Sequence, residues 1–370
     1  MAEDARDPRT QARHVLLAGG GSGGHVFPAL AVGAELARRG WRVSFAGRPD
    51  GMERRLVEAR GVAFVPLAAR PLVGRGPVAR ARALATVTLS ALRARRRLRE
   101  LGVDVVVGTG GYASAPAALG ASWARRPLLL IEPNASPGAA NRWLSHLAAA
   151  AAVAWPEAGR ALACPSFVAG VPVRSEFFAV SGLDAGARPR LLALGGSQGA
   201  ERLNRLLPAA VAVALGLAPE LTVLHQCGEQ HAEAARARWA ESGVPEARVE
   251  VVPFVADVAR ELARTTLVLS RAGAISLAEL CAAGRPSLLV PLALAGGHQR
   301  DNARRLAEAG AAVVLEEEGL TAELLGRRLG ELARGGAALA TMGARARTLA
   351  LPSAAAAIAD RIEALAGGGR

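Results

Sequence analysis

The stretch His14-Val15-Leu16-Leu17-Ala18-Gly19-Gly20-Gly21-Ser22-Gly23-Gly24-His25 decides the fold. Its first five residues form an apolar run of strand length, and all but one of the next six are glycine. Glycine tolerates the backbone angles of so tight a turn and lets a ligand approach the main chain. A buried strand that feeds a helix through such a turn aims the first helical N–H groups at an oxygen-rich or anionic ligand. The second half repeats the device: Leu191-Leu192-Ala193-Leu194 runs into Gly195-Gly196-Ser197-Gln198-Gly199. Two such units predict two Rossmann-like α/β domains facing one another across a deep ligand cleft.

Working outward, short apolar runs alternate with alanine-rich helical patterns, which favours parallel sheets. In the first half the expected strands are His14–Ala18, Arg42–Ala46, Val62–Pro66, Val103–Val107, Pro127–Ile131 and Ala151–Ala154. Helices are expected at Ala29–Arg39, Met52–Arg60 and Ala139–Leu147. A boundary falls within Val173–Arg188, around the surface-like Ser181-Gly182-Leu183-Asp184-Ala185-Gly186. The rhythm restarts at Arg190–Leu194, Leu221–Gln226, Arg248–Pro253, Leu267–Ser270, Ser287–Pro291 and Ala312–Leu315. Domains are therefore expected over 14–180 and 188–350, after a polar tail 1–13. A last helix, 352–365, is expected to return to the first domain.

The chain has 370 residues, enough for two cores, and 51% of them are hydrophobic. Cys164, Cys227 and Cys281 are too far apart for a thiolate zinc site or a disulfide framework, which suits a reducing compartment. No signal-peptide pattern opens the sequence. The formal net charge of +13 admits nucleic acid, an acidic membrane surface or a phosphorylated substrate as partner. No nucleic-acid motif accompanies the charge, so nucleic acid is not expected. From Arg70 to Arg99 no acidic residue appears, and Leu72, Val73, Val78, Leu84, Val87, Leu89 and Leu92 lie among the arginines. That mixture reads as a contact with anionic membrane lipids or as a solvated helix with its other face in the core.

A dinucleotide enzyme is the obvious competitor. Its ribose-binding acid is missing where the second strand ends, at Phe45-Ala46-Gly47-Arg48, and the next acid is Asp50. Neither loop closes with the lysine of a nucleotide-triphosphate loop. The ordered motifs instead resemble the MurG family of bacterial cell-wall glycosyltransferases. They are Ala18–Pro28, Gly108-Thr109-Gly110-Gly111-Tyr112, Glu132-Pro133-Asn134, Gly170-Val171-Pro172-Val173-Arg174, Gly195–Ala200, Arg271-Ala272-Gly273-Ala274, Glu279, Gly284-Arg285-Pro286, and His298-Gln299 with Asn302. The resemblance implies a GT-B fold and transfer of N-acetylglucosamine from UDP-N-acetylglucosamine to undecaprenyl-pyrophosphoryl-N-acetylmuramoyl-pentapeptide. The enzyme would act at the cytoplasmic face of the cell membrane, without a metal or cofactor. Other cell-wall synthesis proteins are implied as partners.

By the same resemblance the first domain holds the lipid-linked acceptor and the second the UDP-sugar. His25 is the general-base candidate and Glu132 a rival or supporting group. Ser22, Gly23 and Gly24 would meet the sugar or acceptor pyrophosphate. Ser197 and Gln198 would lie beside the nucleotide and the backbone of Val255 beside the uracil. Ala274, Ile275, Ser276, Leu277 and Ala278 would open a helix at the diphosphate, with Glu279 on the ribose hydroxyls. Asn134, Arg174, Gln299 and Asn302 complete the substrate set. The family pattern has histidine and glutamine where this chain has Ile131 and Pro133, and serine where it has Ala272. Two alternatives stay open: a GT-B transferase with another sugar or lipid, and a non-catalytic UDP-sugar or membrane-binding module.

Overall fold

Val15 and Leu17 of the first strand pack into one core and Leu16 and Ala18 into another, because successive side chains of a strand alternate between faces. A strand buried on both faces needs helices on both, and the computed structural model has that arrangement. It describes residues 12–21, 23–70, 76–196, 199–293 and 297–368. The chain divides into two units, one made of 1–172 with 353–370 and the other of 173–352.

The first unit carries β1 (His14–Ala18), β2 (Arg42–Gly47), β3 (Ala63–Pro66), β4 (Val105–Gly108), β5 (Leu128–Glu132), β6 (Ala150–Val153) and β7 (Ser166–Val168). All are parallel, in the order β3-β2-β1-β4-β5-β6-β7. The second carries β8 (Arg190–Leu194), β9 (Thr222–Gln226), β10 (Val249–Val252), β11 (Leu267–Ser270), β12 (Ser287–Leu289) and β13 (Ala312–Val314). These are parallel too, in the order β10-β9-β8-β11-β12-β13. In each sheet the order reverses beside the strand that carries the glycine turn. This is the switch point where open parallel sheets leave a ligand crevice at the strands' carboxyl ends.

Every expected strand is present to within two residues at each end, and one was missed. β7 is a three-residue edge strand of mixed burial whose Ser166-Phe167-Val168 carries no periodic signal. The first helix starts at Gly23 rather than Ala29, and Pro28 sits inside it. Pro28 falls in the second turn, and the four residues before it are glycine, histidine, valine and phenylalanine. The helix Ala354–Gly367 packs in the first unit, where Ile358, Ala359 and Ile362 join Val15 and Leu36 in one core.

The helix Pro77–Glu100 turns Ala83, Val87, Ala91, Ala94 and Leu98 inward, a helical spacing. Gly120, on the helix Ala115–Trp123, lets the two backbones meet; a Cβ there would lie 2.6 Å from Ala94 Cβ. Val78, Leu84, Leu89 and Leu92 on the helix Pro77–Glu100 are exposed, the first by 66%. The expected basic–apolar stretch thus splits: Val87 serves the core, these four face outward, and Leu72, Val73 and Arg75 lie outside the described residues. No described helix is long and apolar enough to cross a membrane.

Candidate functional site

In the first unit the turn after β1 meets the turn after β4. Thr109 Oγ1 donates to the His25 carbonyl at 2.6 Å and takes the space a Cβ on Gly19 would need. Gly111, at φ 72°, passes so close that a Cβ there would lie 2.8 Å from the Gly20 carbonyl oxygen. The two loops therefore pack main chain against main chain, which only glycine permits.

His25 is wedged between them, in the first turn of the helix Gly23–Arg38. Its Nδ1 lies 2.7 Å from the Thr109 carbonyl, which can only accept, so Nδ1 carries the proton. Nε2 is then the lone-pair nitrogen, and it has no partner among the described residues. Burial lowers the imidazole's pKa below 6.5, against the opposing pull of the Thr109 carbonyl and the Glu132 charge. The ring is a neutral base at neutral pH.

Glu132, at the end of β5, is buried and saturated. One oxygen accepts from the Asn134 backbone N–H at 3.0 Å and its side chain at 2.8 Å. The other accepts from Gly138 N–H at 2.9 Å and Asn141 Nδ2 at 3.0 Å. A carboxylate bound by four donors orders its own loop, which fits the supporting role better than that of a rival base. Asn134 is drawn into the same knot.

Glu53 was missed in the sequence. It is fully buried, accepting the Arg48 N–H at 2.9 Å and the Gly21 N–H at 3.4 Å. A Cβ on Gly20, Gly47 or Gly51 would collide with it, so glycines from the first turn and from the end of β2 with the connection after it make its cradle. Arg48 then reaches Tyr112 Oη at 2.6 Å, joining β2 to the second loop. The sequence signal was weak, two glycines ahead of Glu53 in a stretch that also holds Asp50, and only the fold brings Gly20 to it.

The second unit is built alike. Gly196 and Gly199 both have positive φ, and a Cβ on Gly199 would strike the Cys227 carbonyl. Behind this turn runs a chain of buried hydrogen bonds. Trp239 Nε1 donates to His225 Nδ1 at 3.0 Å, His225 Nε2 to Asn204 Oδ1 at 2.9 Å, and Asn204 Nδ2 to the Cys227 carbonyl at 2.8 Å. Desolvation pushes the His225 pKa down to about 4, which keeps the relay neutral.

Across the switch point the helix Ala274–Ala282 starts after Gly273. The N–H groups of Ala274, Ile275 and Ser276 head that helix without intrahelical acceptors. Leu277 differs from expectation: its N–H is spent on the Gly273 carbonyl and its side chain is buried. Ala278 follows it inside the helix. Glu279 is one-fifth exposed, with Arg174 Nη2 3.9 Å away. Desolvation raises its pKa to about 7, with Arg174 opposing and Glu176 adding to the rise. Arg174 itself pairs with Glu176 at 2.8 Å.

Gln299 Oε1 accepts from Ala272 N–H at 3.2 Å and Leu292 N–H at 3.0 Å. Two backbone donors fix the amide's orientation and leave its NH2 without a partner among the described residues. Asn302 departs from the expected ligand role. It is buried and donates to the Ala272 carbonyl at 3.2 Å, bracing the 271–273 turn from below. The Val255 side chain is buried too. Ser22, Ser197 and Gln198 lie outside the described residues. Among those residues no three His, Cys, Asp or Glu gather as metal ligands.

The model of the glycosyltransferase family 28 N-terminal domain matches residues 15–153, and that of its C-terminal domain matches 190–361. The chain belongs to glycosyltransferase family 28. It is 44% identical over 353 residues, 94% of its length, to the UDP-N-acetylglucosamine–N-acetylmuramyl-(pentapeptide) pyrophosphoryl-undecaprenol N-acetylglucosamine transferase of Stutzerimonas stutzeri, and covers 98% of that protein. The enzyme of the same name from Ectopseudomonas mendocina is 42% identical, over 94% of this chain and 97% of its own. Among solved structures, Acinetobacter baumannii MurG is similar with a TM-score of 0.76 and 32% identity, over 95% of this chain and 99% of the other. The two Rossmann-like units are those of a GT-B glycosyltransferase.

Proposed function

We propose that this chain transfers N-acetylglucosamine from UDP-N-acetylglucosamine to the 4-hydroxyl of undecaprenyl-pyrophosphoryl-N-acetylmuramoyl-pentapeptide. The observation that carries the reading is 44% identity to a transferase of that name along nearly the whole of both chains.

His25 takes the acceptor's hydroxyl proton on Nε2. The oxygen attacks the anomeric carbon, the bond to the diphosphate breaks with its electron pair leaving on UDP, and the β-1,4 linkage forms with inversion. The Thr109 carbonyl holds the tautomer that makes Nε2 the acceptor. Ser22, Gly23 and Gly24 meet the sugar or the acceptor pyrophosphate, and Glu132 and Asn134 brace the neighbouring loop.

On the donor side the N–H groups of Ala274, Ile275 and Ser276 stabilise the charge that grows on the departing diphosphate. Ser197 and Gln198 flank the nucleotide, the Val255 main chain meets the uracil and Glu279 accepts from the ribose hydroxyls. Arg174 lies beside Glu279, and the Gln299 NH2 is left to reach the sugar. Leu277, Ala278 and Asn302 support these groups from within the fold.

The exposed Val78, Leu84, Leu89 and Leu92, among exposed arginines of the helix Pro77–Glu100, support peripheral attachment to anionic lipid at the cytoplasmic face, where the lipid-linked acceptor resides. Other cell-wall synthesis proteins would meet the enzyme there.

The test is UDP release from UDP-N-acetylglucosamine with and without the lipid acceptor. Acceptor-dependent release is expected, with kcat lowered about 10²–10⁴-fold in His25→Ala. The acid limb of kcat should fall below pH 6.5, since burial lowers the His25 pKa. Nucleotide binding without product would overturn the acceptor assignment.

A further inference from the structure

At the amino ends of the second sheet, opposite the end that carries the Gly195–Gly199 turn, lies a cavity of about 340 Å³. It is lined by Arg188, Arg190, Glu220, Thr222, Arg248 and Arg264. The parallel register explains the gathering. Arg190 opens β8 opposite Thr222, which opens β9, and Val249 pairs with Val223, so Arg248 comes beside Thr222. Strands are about 4.8 Å apart, so two guanidinium groups flank one hydroxyl across about 10 Å.

Their charges are poorly compensated. Arg190 Nη2 pairs with Glu261 at 2.7 Å, while its Nε is buried and has no hydrogen-bond partner. Arg188, Arg248 and Arg264 have no carboxylate within ion-pair reach among the described residues. Four guanidinium groups thus face two carboxylates, Glu220 and Glu261, around a space larger than a single phosphate needs. Guanidinium forks suit phosphate oxygens, and an unpaired buried N–H is a cost that an incoming oxygen removes.

We propose that this cavity is a second anion site, distinct from the donor site, taking a ligand that bears a diphosphate or a comparable dianion. Such a group could belong to a soluble phosphate compound or to a lipid headgroup.

The full-length protein, saturated with UDP to fill the donor site, is titrated with inorganic pyrophosphate by calorimetry. A binding event is expected that salt weakens and that Arg248→Ser combined with Arg264→Ser weakens about tenfold or more, whereas pyrophosphate held at the acceptor turn would be untouched by those substitutions. The double variant should keep its transfer activity and, without pyrophosphate, its unfolding temperature. Arg188→Ser, on an exposed side chain, repeats the test should the double variant unfold early. Displacement of pyrophosphate by vesicles containing phosphatidic acid, whose phosphomonoester reaches two negative charges, and not by phosphatidylcholine vesicles, assigns the site to a headgroup; no displacement by either assigns it to a soluble ligand. Absence of binding in the UDP-saturated protein, or binding untouched by the substitutions, overturns the proposal.

Discussion

Glu279 has the environment of a carboxyl that is half protonated near neutrality, since its pKa is raised to about 7 by lost solvation. Accepting two hydroxyl protons requires the ionised form. Donor affinity should therefore rise as pH increases through 7, by about tenfold between pH 6 and pH 8 if only the carboxylate binds. Calorimetric titration of UDP-N-acetylglucosamine across that range checks it, and Glu279→Gln should give a weak, pH-independent Kd. The same shift acts oppositely on folding, because a raised carboxyl pKa contributes stability below pH 4.5 that is lost by pH 7. Glu53 poses a different question, because it holds the first glycine turn without facing a ligand. Glu53→Ala should raise the acceptor KM more than the donor KM, and Glu53→Gln should recover part of the loss, since its carbonyl still accepts from Arg48. Equal changes in both KM values would mean general loosening instead. His25, Glu279 and Gln299 were legible as residue types at motif positions, and the structure adds the surroundings of each side chain. What could not be read was direction. Nothing in the sequence tells that Asn302 and Leu277 point into the fold or that Glu132 is saturated, because those outcomes depend on contacts between segments far apart.

The elements were legible for a simpler reason. A parallel strand covered on both faces is an apolar run, and among the described strands β7, at an edge and of mixed burial, is the one without a signal. The helix Pro77–Glu100 was harder, because its charge density hides an inward stripe of small residues. Ala91 and Ala94 pack closely enough for Gly120 to matter, so the outward face is left to Leu84, Leu89, Leu92 and the arginines. If that face meets lipid, Leu84→Ser with Leu89→Ser should weaken sedimentation with phosphatidylglycerol vesicles. Two buried leucines are worth about 3–6 kcal/mol at most, and a partly inserted face yields less. Transfer to a short-chain, water-soluble acceptor should be unchanged in that variant. Unaltered vesicle binding would return the helix to an ordinary solvated one.

At the scale of the whole molecule, the chain leaves its first unit at residue 172 and comes back to it at 353. The returning helix is fastened in two ways. Ile358, Ala359 and Ile362 are fully buried against Val15, Leu36 and their neighbours. Arg39 also pairs with Asp360 at 2.6 Å and Glu363 at 3.1 Å, and Trp41 Nε1 donates to Glu363 at 3.3 Å. The magnitudes say which fastening dominates. Asp360 is 69% exposed, so its ion pair is screened and contributes about 0–1 kcal/mol, whereas a buried isoleucine cut to alanine costs about 2–5 kcal/mol. Urea denaturation of Ile362→Ala should therefore show a much lower midpoint, and Asp360→Asn one close to the parent. The reverse ranking would mean that charge, rather than apolar burial, draws the end of the chain back to its beginning. The sequence carries the same logic: isoleucines four apart at 358 and 362 need a core, and the first unit offers one where Leu36 and Val15 meet.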